Sequence, residues 1–302
     1  MTAIVALGGN ALMRPGERGT AAEQRANLRE ACAALRPLLG EQQLVVTHGN
    51  GPQVGNELLR QERAAAEAPP LPLYLAVAQT QAEIGALIES ELAPVAGRPV
   101  ACLLTHVLVA EDDPAFEEPT KPIGPFYDEA KARELEAERD WKVVHDAGRG
   151  WRRVVPSPAP LEVVELDAIR SLLASGTIVV ACGGGGIPAT RRGEHLAGID
   201  AVIDKDRASS LLARGLEADR LVILTEVPAV YSGFGTDRQE ELLELSAHDA
   251  AALGPELAAG SMRPKVEASV EFVQATGREA LITSPAALGD ALEGRNGTRI
   301  HA

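Results

Sequence analysis

Residues 47–55 have the sequence Thr-His-Gly-Asn-Gly-Pro-Gln-Val-Gly and separate an apolar run from a segment of mixed apolar and charged residues. The run at 44–46 predicts a buried strand, and the segment at 57–67 predicts a helix. Pro52 suits the first turn of that helix, and a strand end, a Gly-rich turn and a helix N-terminus together form a seat for an anion. The alternative is a tight turn whose glycines serve backbone geometry alone. His48 is a candidate base or oxyanion donor, or a structural residue bonded to backbone.

Two more Gly-rich loops follow predicted strands. Residues 8–10 follow a strand at 3–7, and residues 183–186 follow a strand at 177–181. Ligands of open parallel sheets bind beyond the carboxyl ends of the strands, so these loops predict a polyanion site such as one for nucleotide phosphates. The P-loop motif is absent. Residues 184–189 weakly match a dinucleotide fingerprint, which leaves an NAD(P)-dependent oxidoreductase as a distant alternative.

Composition excludes several classes of partner. The chain has 302 residues, of which 45% are hydrophobic and 3% aromatic, and a formal net charge of -14. This acidic balance disfavours nucleic acid, and no signal peptide or membrane span is visible in the sequence. The three cysteines are far apart, without the spacing of a metal site or a disulfide framework. We expect a cytoplasmic protein with no membrane partner and no metal held by its side chains.

Strands and helices alternate along the chain, which predicts an α/β fold with a parallel, doubly wound sheet. Further strands are predicted at 100–105, 221–224 and 280–283, and helices at 21–39, 73–92, 166–174, 207–214, 264–276 and 286–292. Residues 111–160 interrupt this rhythm with a proline-rich stretch and a predicted helix at 128–139. We interpret them as an inserted lid subdomain over the cleft. The alternative is a surface excursion without function.

Lysines are scarce, so their placement is informative. Lys121, Lys205 and Lys265 lie in segments with little helical signal, whereas the other two lie in or beside the charged helix of the insert. Phosphoryl transfer needs positive charge along the path from donor to acceptor, and lysine supplies it as a compact point charge. Asp206 is a candidate to hold two ammonium groups apart. The alternative for each lysine is a surface salt bridge.

These blocks together resemble carbamate kinases of the amino-acid kinase superfamily. The matching stretches are 5–10, 47–55, 113–116, 119–127, 152–158, 183–188, 201–206 and 261–265. The resemblance implies reversible phosphoryl transfer between ATP and carbamate, giving ADP and carbamoyl phosphate, with ATP synthesis as the expected direction in the cell. It also implies Mg²⁺ with the nucleotide, a homodimer, and a three-layer α/β/α sandwich around a largely parallel open sheet. The single domain over 1–302 would comprise an acceptor lobe at 1–200 and a nucleotide lobe at 201–302.

The resemblance also implies roles for residues at matching positions. Lys205 and Lys265 would flank the phosphates with Asp206 between them, and Lys121 would reach in from the insert. The phosphoryl group and the carbamate would be held by residues of the first two Gly-rich loops: Gly8, Gly9, Asn10, His48, Gly49, Asn50 and Gly51. The nucleotide would lie over the C-terminal half and is expected to contact Gly184, Gly185, Asp204, Thr225, Tyr231 and Met262.

Three stretches depart from the family pattern: 80–86, 224–228 and 261–265. Arg263 stands beside the lysine loop and either adds a phosphate contact or blocks the nucleotide. Two further alternatives therefore remain open. One is a kinase of the same fold for another small carboxylate or carbamate-like acid, and the other is a nucleotide-binding relative without turnover.

Overall fold

The computed structural model describes residues 1–14, 16–40, 43–139, 141–145, 150–258 and 261–302; the side chains of Asn10 and Pro125 lie outside the described part. The strands are β1 (Thr2–Leu7), β2 (Gln43–His48), β3 (Val100–Cys102), β4 (His106–Leu108), β5 (Lys121–Tyr127), β6 (Lys142–His145), β7 (Trp151–Val155), β8 (Glu162–Val163), β9 (Ile178–Val180), β10 (Ile187–Arg192), β11 (His195–Gly198), β12 (Arg220–Leu224), β13 (Val230–Ser232), β14 (Glu240–Leu242), β15 (Glu244–Ser246), β16 (Glu279–Thr283) and β17 (Thr298–His301). The α-helices are α1 (Ala21–Ala34), α2 (Arg36–Leu39), α3 (Gly51–Ala64), α4 (Leu73–Ala96), α5 (Glu129–Arg139), α6 (Leu166–Ala174), α7 (Lys205–Gly215), α8 (Ala247–Leu253), α9 (Met262–Thr276) and α10 (Leu288–Leu292).

An eight-stranded sheet forms the centre of the molecule, in the order β15-β17-β16-β12-β1-β2-β9-β3. Strand β1 pairs in parallel with β12 on one side and with β2 on the other. Every described pairing in this sheet is parallel except that of β16 with β17. The carboxyl ends of β1, β2, β9, β12 and β16 therefore meet at one edge, as the sequence predicts.

Helices cover both faces of this sheet, because the residues of β1 alternate between two hydrophobic clusters. Ile4 and Ala6 pack with side chains of α6, α7 and α9, whereas Val5 and Leu7 pack with side chains of α1, α4 and α10. Successive side chains of a strand point to opposite faces, so a strand apolar at every position needs a helical layer on each side. The predicted three-layer α/β/α sandwich is confirmed. No helix in the described part of the chain combines the length and apolarity that crossing a membrane requires.

The insert predicted at 111–160 contains a small antiparallel sheet, in the order β5-β7-β6, together with α5. It meets the central part of the molecule where β5 crosses α3. A Cβ on Gly55 would lie 2.6 Å from the Cα of Gly124, so glycine is required for this close approach of two backbones. The crossing places the first residue of β5, Lys121, beside the start of α7.

Several predicted boundaries are wrong. The helix predicted at 21–39 ends at Ala34, because Pro37 lacks the N–H that would continue the ladder, and the chain restarts as α2. The strand predicted at 100–105 ends at Cys102, and β4 joins a separate four-stranded sheet with β8, β10 and β11. Helix α3 begins at Gly51 rather than 57, and Pro52 lies in its first turn as predicted. The hairpin of β10 and β11 and the closing strand β17 were not predicted.

Candidate active site

The start of α7 collects the charged residues of the site. Asp204 is the N-cap, and its Oδ1 accepts hydrogen bonds from the backbone N–H groups of Asp206 at 2.9 Å and Arg207 at 3.3 Å. Its Oδ2 accepts a hydrogen bond from Lys121 Nζ at 2.7 Å. Burial opposes ionisation of Asp204, but Lys121 outweighs it and holds the pKa of the carboxyl well below its usual range. The insert is thus tied by an ion pair to the first turn of α7.

Asp206 joins two lysines that come from different helices. Its Oδ1 accepts a hydrogen bond from Lys205 Nζ, and its Oδ2 accepts one from Lys265 Nζ at 3.1 Å. The three side chains are only 3%, 11% and 13% exposed, respectively. Burial lowers the pKa of Lys205, and the same burial opposes ionisation of Asp206, whose pKa the two lysines nevertheless keep below its usual range. The arrangement predicted from sequence, a carboxylate that holds two ammonium groups apart, is present.

The Gly-rich turn after β2 lies beside Lys205. A Cβ on Gly49 would lie 3.4 Å from Cδ of Lys205, so the turn passes along this side chain. Asn50 Nδ2 donates a hydrogen bond to Thr80 Oγ1 at 3.0 Å. The backbone of Gly184 packs against the side-chain amide of Asn50. Helix α3 begins at Gly51, two residues after Gly49, and the first N–H groups of a helix have no partner within it.

A buried polar network braces the Gly-rich loop at 183–186, which packs against His48 and Asn50, and sequence reasoning missed it. Gln81 Oε1 accepts a hydrogen bond from Thr105 N at 2.6 Å, and Gln81 Nε2 donates one to Gly183 O at 2.9 Å. Thr105 Oγ1 in turn accepts a hydrogen bond from Cys182 N at 3.1 Å. Cys182 has φ of 50°, a left-handed conformation that a non-glycine residue adopts only when its surroundings impose it. A signal was available, because Gln81 is a polar residue on the apolar side of α4.

His48 is fully buried at the end of β2. Its Nδ1 lies 2.9 Å from the carbonyl oxygen of Gly49, which can only accept, so Nδ1 carries the proton and Nε2 presents a lone pair. Among the described residues, Nε2 has no hydrogen-bond partner. Burial lowers the pKa of His48 to about 4. The ring is therefore neutral at pH 7, which argues against a cationic oxyanion donor and leaves the structural and base interpretations open.

A cavity of about 1080 Å³ opens beyond β1 and β12, large enough for a nucleotide. Six residues singled out in the sequence line it: Gly8, Gly9, Thr225, Tyr231, Met262 and Lys265. Phe234 also lines it, with its ring 6.0 Å from that of Tyr231. The backbone of Asn10 belongs to the short 3₁₀ turn Gly9–Ala11 near this wall, but its side chain lies outside the described part, so its role stays a prediction.

Three residues expected at the nucleotide lie elsewhere. A Cβ on Gly184 would meet the side chain of Asn50, and one on Gly185 would lie 2.2 Å from the carbonyl oxygen of Ile203. Asp204 faces Lys121. The physical reason is the strand order: β9, which precedes the glycines, lies beyond β2, whereas the cavity lies on the side of β12. None of the three lines the large cavity, and their contact with the nucleotide stays a prediction.

Arg263 does not face the cavity. Its Nε donates a hydrogen bond to Gly254 O at 2.8 Å, and an Nη donates to Pro255 O at 2.8 Å and to Leu257 O at 3.1 Å. The guanidinium therefore satisfies carbonyl groups of the turn that follows α8. Of the two expectations for this residue, neither an added phosphate contact nor a blocked nucleotide fits this geometry.

Comparisons with known proteins show which proteins this chain is similar to. The sequence profile of the amino acid kinase family matches residues 1–284. The carbamate kinase of Halobacterium salinarum is 45% identical over 304 residues, covering 98% of this chain and 97% of that protein. The carbamate kinase of Haemophilus influenzae is 44% identical over 304 residues, covering 99% and 96%. The structure of carbamate kinase from Giardia lamblia bound to AMP-PNP is similar with a TM-score of 0.92 and 41% identity, covering 99% of this chain and 98% of that one.

Proposed function

This chain belongs to the amino acid kinase family, and within it to the carbamate kinases, and from that premise we propose that it transfers a phosphoryl group reversibly between ATP and carbamate, with ATP synthesis from carbamoyl phosphate as its direction in the cell. The observation that carries the proposal is the position of Asp206. This carboxylate holds Lys205 beside the Gly-rich turn after β2 and Lys265 at the rim of the large cavity. Two ammonium groups on opposite flanks of one carboxylate suit a phosphoryl group that moves between two sites.

In this proposal the nucleotide occupies the large cavity. The purine lies near Tyr231 and Phe234, whose rings offer an apolar surface, and the phosphates run along Gly8 and Gly9 toward Lys265. A Cβ on Gly8 would lie 2.8 Å from the carbonyl oxygen of Leu224, so the backbone there is already packed as closely as glycine allows. The AMP-PNP bound to the similar Giardia enzyme supports a nucleotide in this fold.

The transfer itself needs charge stabilisation and positioning. A carbamate oxygen attacks the γ-phosphorus, the new P–O bond forms, and the bond to the β–γ bridging oxygen breaks with its electron pair left on ADP. The acceptor is already an anion, so no general base is required, consistent with a neutral His48. Lys205 and Lys265 stabilise the negative charge spread over the transferring group, while Asp206 holds the two cations at fixed positions, one on each of its oxygens.

Lys121 is the third cation in the proposed mechanism. Its side chain is 35% exposed and is bonded to Asp204, one residue before Lys205 in the chain. We propose that Asp204 pairs with Lys121 when no phosphate is bound and so keeps Lys121 next to the site. A bound phosphate would then compete with Asp204 for the ammonium group. The measurement is kcat of Lys121→Ala and of Asp204→Asn, with a severe loss expected for the first and a smaller one for the second, because only the first removes a charge from the phosphate.

We propose that Mg²⁺ enters with the nucleotide. The described residues contain no group of three or more His, Cys, Asp or Glu side chains able to hold a metal ion, and Asp204 and Asp206 already bond to lysines. In proteins Mg²⁺ keeps several waters and takes phosphate oxygens as ligands. The residues of the site therefore fit an Mg²⁺ ion that is held by the phosphates of ATP. When bound, it would neutralise charge on the β- and γ-phosphates.

The resemblance further supports a cytoplasmic homodimer in arginine metabolism. A measurement of the molecular mass in solution tests the dimer.

The decisive experiment is ATP formation from ADP and carbamoyl phosphate by the purified protein. We expect ATP formation that Lys205→Ala and Lys265→Ala each reduce by about 10²-fold. ADP release with a panel of other small acids in place of carbamate separates this function from a kinase for a different acceptor. Tight ADP binding without transfer in either direction would refute the proposal.

A further inference from the structure

A second cavity, of about 280 Å³, lies where the insert meets α3 and residues 70–73. One wall is apolar and includes Leu58, Leu71 and Ile123, and the other carries polar and aromatic groups. At roughly 30 Å³ for each water molecule, the volume corresponds to about nine waters, which is the size of a small amino acid. None of the residues assigned to phosphoryl transfer lines it.

Arg153 places a positive charge in this cavity. Its guanidinium lies over the ring of Trp141, 4.6 Å from the centroid, and burial lowers its pKa. Within the described ranges, no carboxylate lies within salt-bridge distance of it. Its neighbour Arg139, by contrast, pairs with Glu62 at 2.5 Å. A half-buried guanidinium with no carboxylate at contact distance is the kind of group that binds an anionic ligand.

Asp200 supplies the opposite charge on the same cavity. It is exposed, and its Oδ1 accepts a hydrogen bond from the backbone N–H of Tyr74 at 3.2 Å. It forms no ion pair with any residue that the structure describes, although it acts electrostatically on Arg153. Besides the paired Arg139 and Glu62, the cavity therefore carries one cation and one anion that are not in contact with each other, above an apolar wall.

We propose that this cavity binds a zwitterionic α-amino acid with an apolar side chain. The carboxylate pairs with Arg153, the ammonium group pairs with Asp200, and the side chain packs against Leu58, Leu71 and Ile123. A ligand of either single charge would leave one of the two protein charges unmatched. The site goes beyond the proposed kinase function and does not depend on it.

The position of the cavity links such a ligand to the active site. Ile123, Gly124 and Tyr127 of β5 line it, and the same strand begins at Lys121, which bonds to Asp204. A bound amino acid would contact α3 and β5 together and so hold the insert against the central part of the molecule. We expect it to slow hydrogen exchange of the β5 backbone.

The test uses the two tryptophans of the chain, one of which lies in the cavity wall. Replacing Trp151 by Phe leaves Trp141 as the reporter, and the variant is titrated with L-leucine by fluorescence and by saturation-transfer NMR. The matched ligands are 4-methylpentanoate, which lacks the ammonium group, and 3-methylbutylamine, which lacks the carboxylate. We expect saturable binding of L-leucine and at least about tenfold weaker binding of each matched ligand, since each loses a charge-assisted contact.

The protein variants give a second arm. Arg153→Gln and Asp200→Asn should each weaken L-leucine binding at least about tenfold, and Asp200→Asn keeps the oxygen that accepts from Tyr74. Arg170→Gln, a half-exposed arginine outside the cavity, is the control and should bind normally. Equal binding of leucine and 4-methylpentanoate would refute the preference for a zwitterionic ligand. The absence of a saturable signal in both methods would refute the proposal that this cavity is a binding site. Neither outcome depends on turnover.

Discussion

Replacing Asp206 by Asn removes one charge and almost no volume, and its effect follows from the contacts of the carboxylate. In the variant, Lys205 and Lys265 keep their positive charges at 11% and 13% exposure but lose the anion between them. Removing one partner of a buried ion pair costs about 3–5 kcal/mol, because the remaining charge is left uncompensated. We therefore expect the free energy of unfolding at pH 7 to fall by about that amount.

The pH dependence of this loss has a definite sign. The pKa of Asp206 is lower in the folded protein than in the unfolded chain, because the two lysines outweigh burial. Its contribution to stability is therefore fully present above the unfolded pKa of about 3.9, and it disappears as the pH falls through the folded pKa. The stability gap between the parent protein and Asp206→Asn should stay constant from pH 7 to about 5 and close at lower pH.

Activity should report the same change on the alkaline side. Burial already lowers the pKa of Lys205, and Asp206 opposes that effect. Without the carboxylate the pKa falls further, so Lys205 loses its proton, and the site loses a cation, at lower pH than in the parent. The alkaline limb of the kcat profile should move to lower pH, with kcat at pH 7 reduced by about 10²-fold.

Two assays check these expectations: urea unfolding at several pH values, and the rate of ATP formation from ADP and carbamoyl phosphate. Asp290→Asn is the control, because that aspartate is 57% exposed and its pair with Arg295 is expected to contribute less than about 1 kcal/mol. Equal stability of Asp206→Asn and the parent at pH 7, together with an unmoved alkaline limb, would refute the idea that this carboxylate holds the two cations.

Three further substitutions separate catalysis from folding. Lys265→Ala should lower kcat by about 10²-fold while unfolding at a urea concentration close to that of the parent, since the carboxylate keeps its other lysine; a normal kcat would contradict its role. Gly185→Ala should lower the free energy of unfolding by about 3 kcal/mol or more, because φ is +91° and a Cβ would lie 2.2 Å from the carbonyl oxygen of Ile203. The control in the same urea titration is Gly289→Ala, where a Cβ meets nothing within 4 Å. Arg263→Ala should keep the KM for ATP within about twofold while lowering the unfolding midpoint, at about 1 kcal/mol per lost hydrogen bond, and a large rise in KM would show that the guanidinium reaches the nucleotide.

The sequence by itself determined the layers of the fold and the chemical character of the site. Strand β1 is apolar at successive positions, so its sequence already indicates a strand of a parallel sheet that is buried on both faces. Glycines directly after predicted strands indicated an anion site, and the scarce lysines indicated which side chains could supply charge. The prediction of the layers succeeds because periodicity is a local property of the chain.

Only the tertiary structure decided which of these pieces face each other. The strand order puts the Gly-rich loop at 183–186 beside Asn50, outside the lining of the large cavity. The direction of Arg263 depends on carbonyl groups of the turn after α8, and the brace made by Gln81 depends on Thr105 and Gly183. Each of these contacts joins residues that the sequence pattern treats independently. They follow from the order of strands in the sheet and from long-range packing, which a local pattern does not specify.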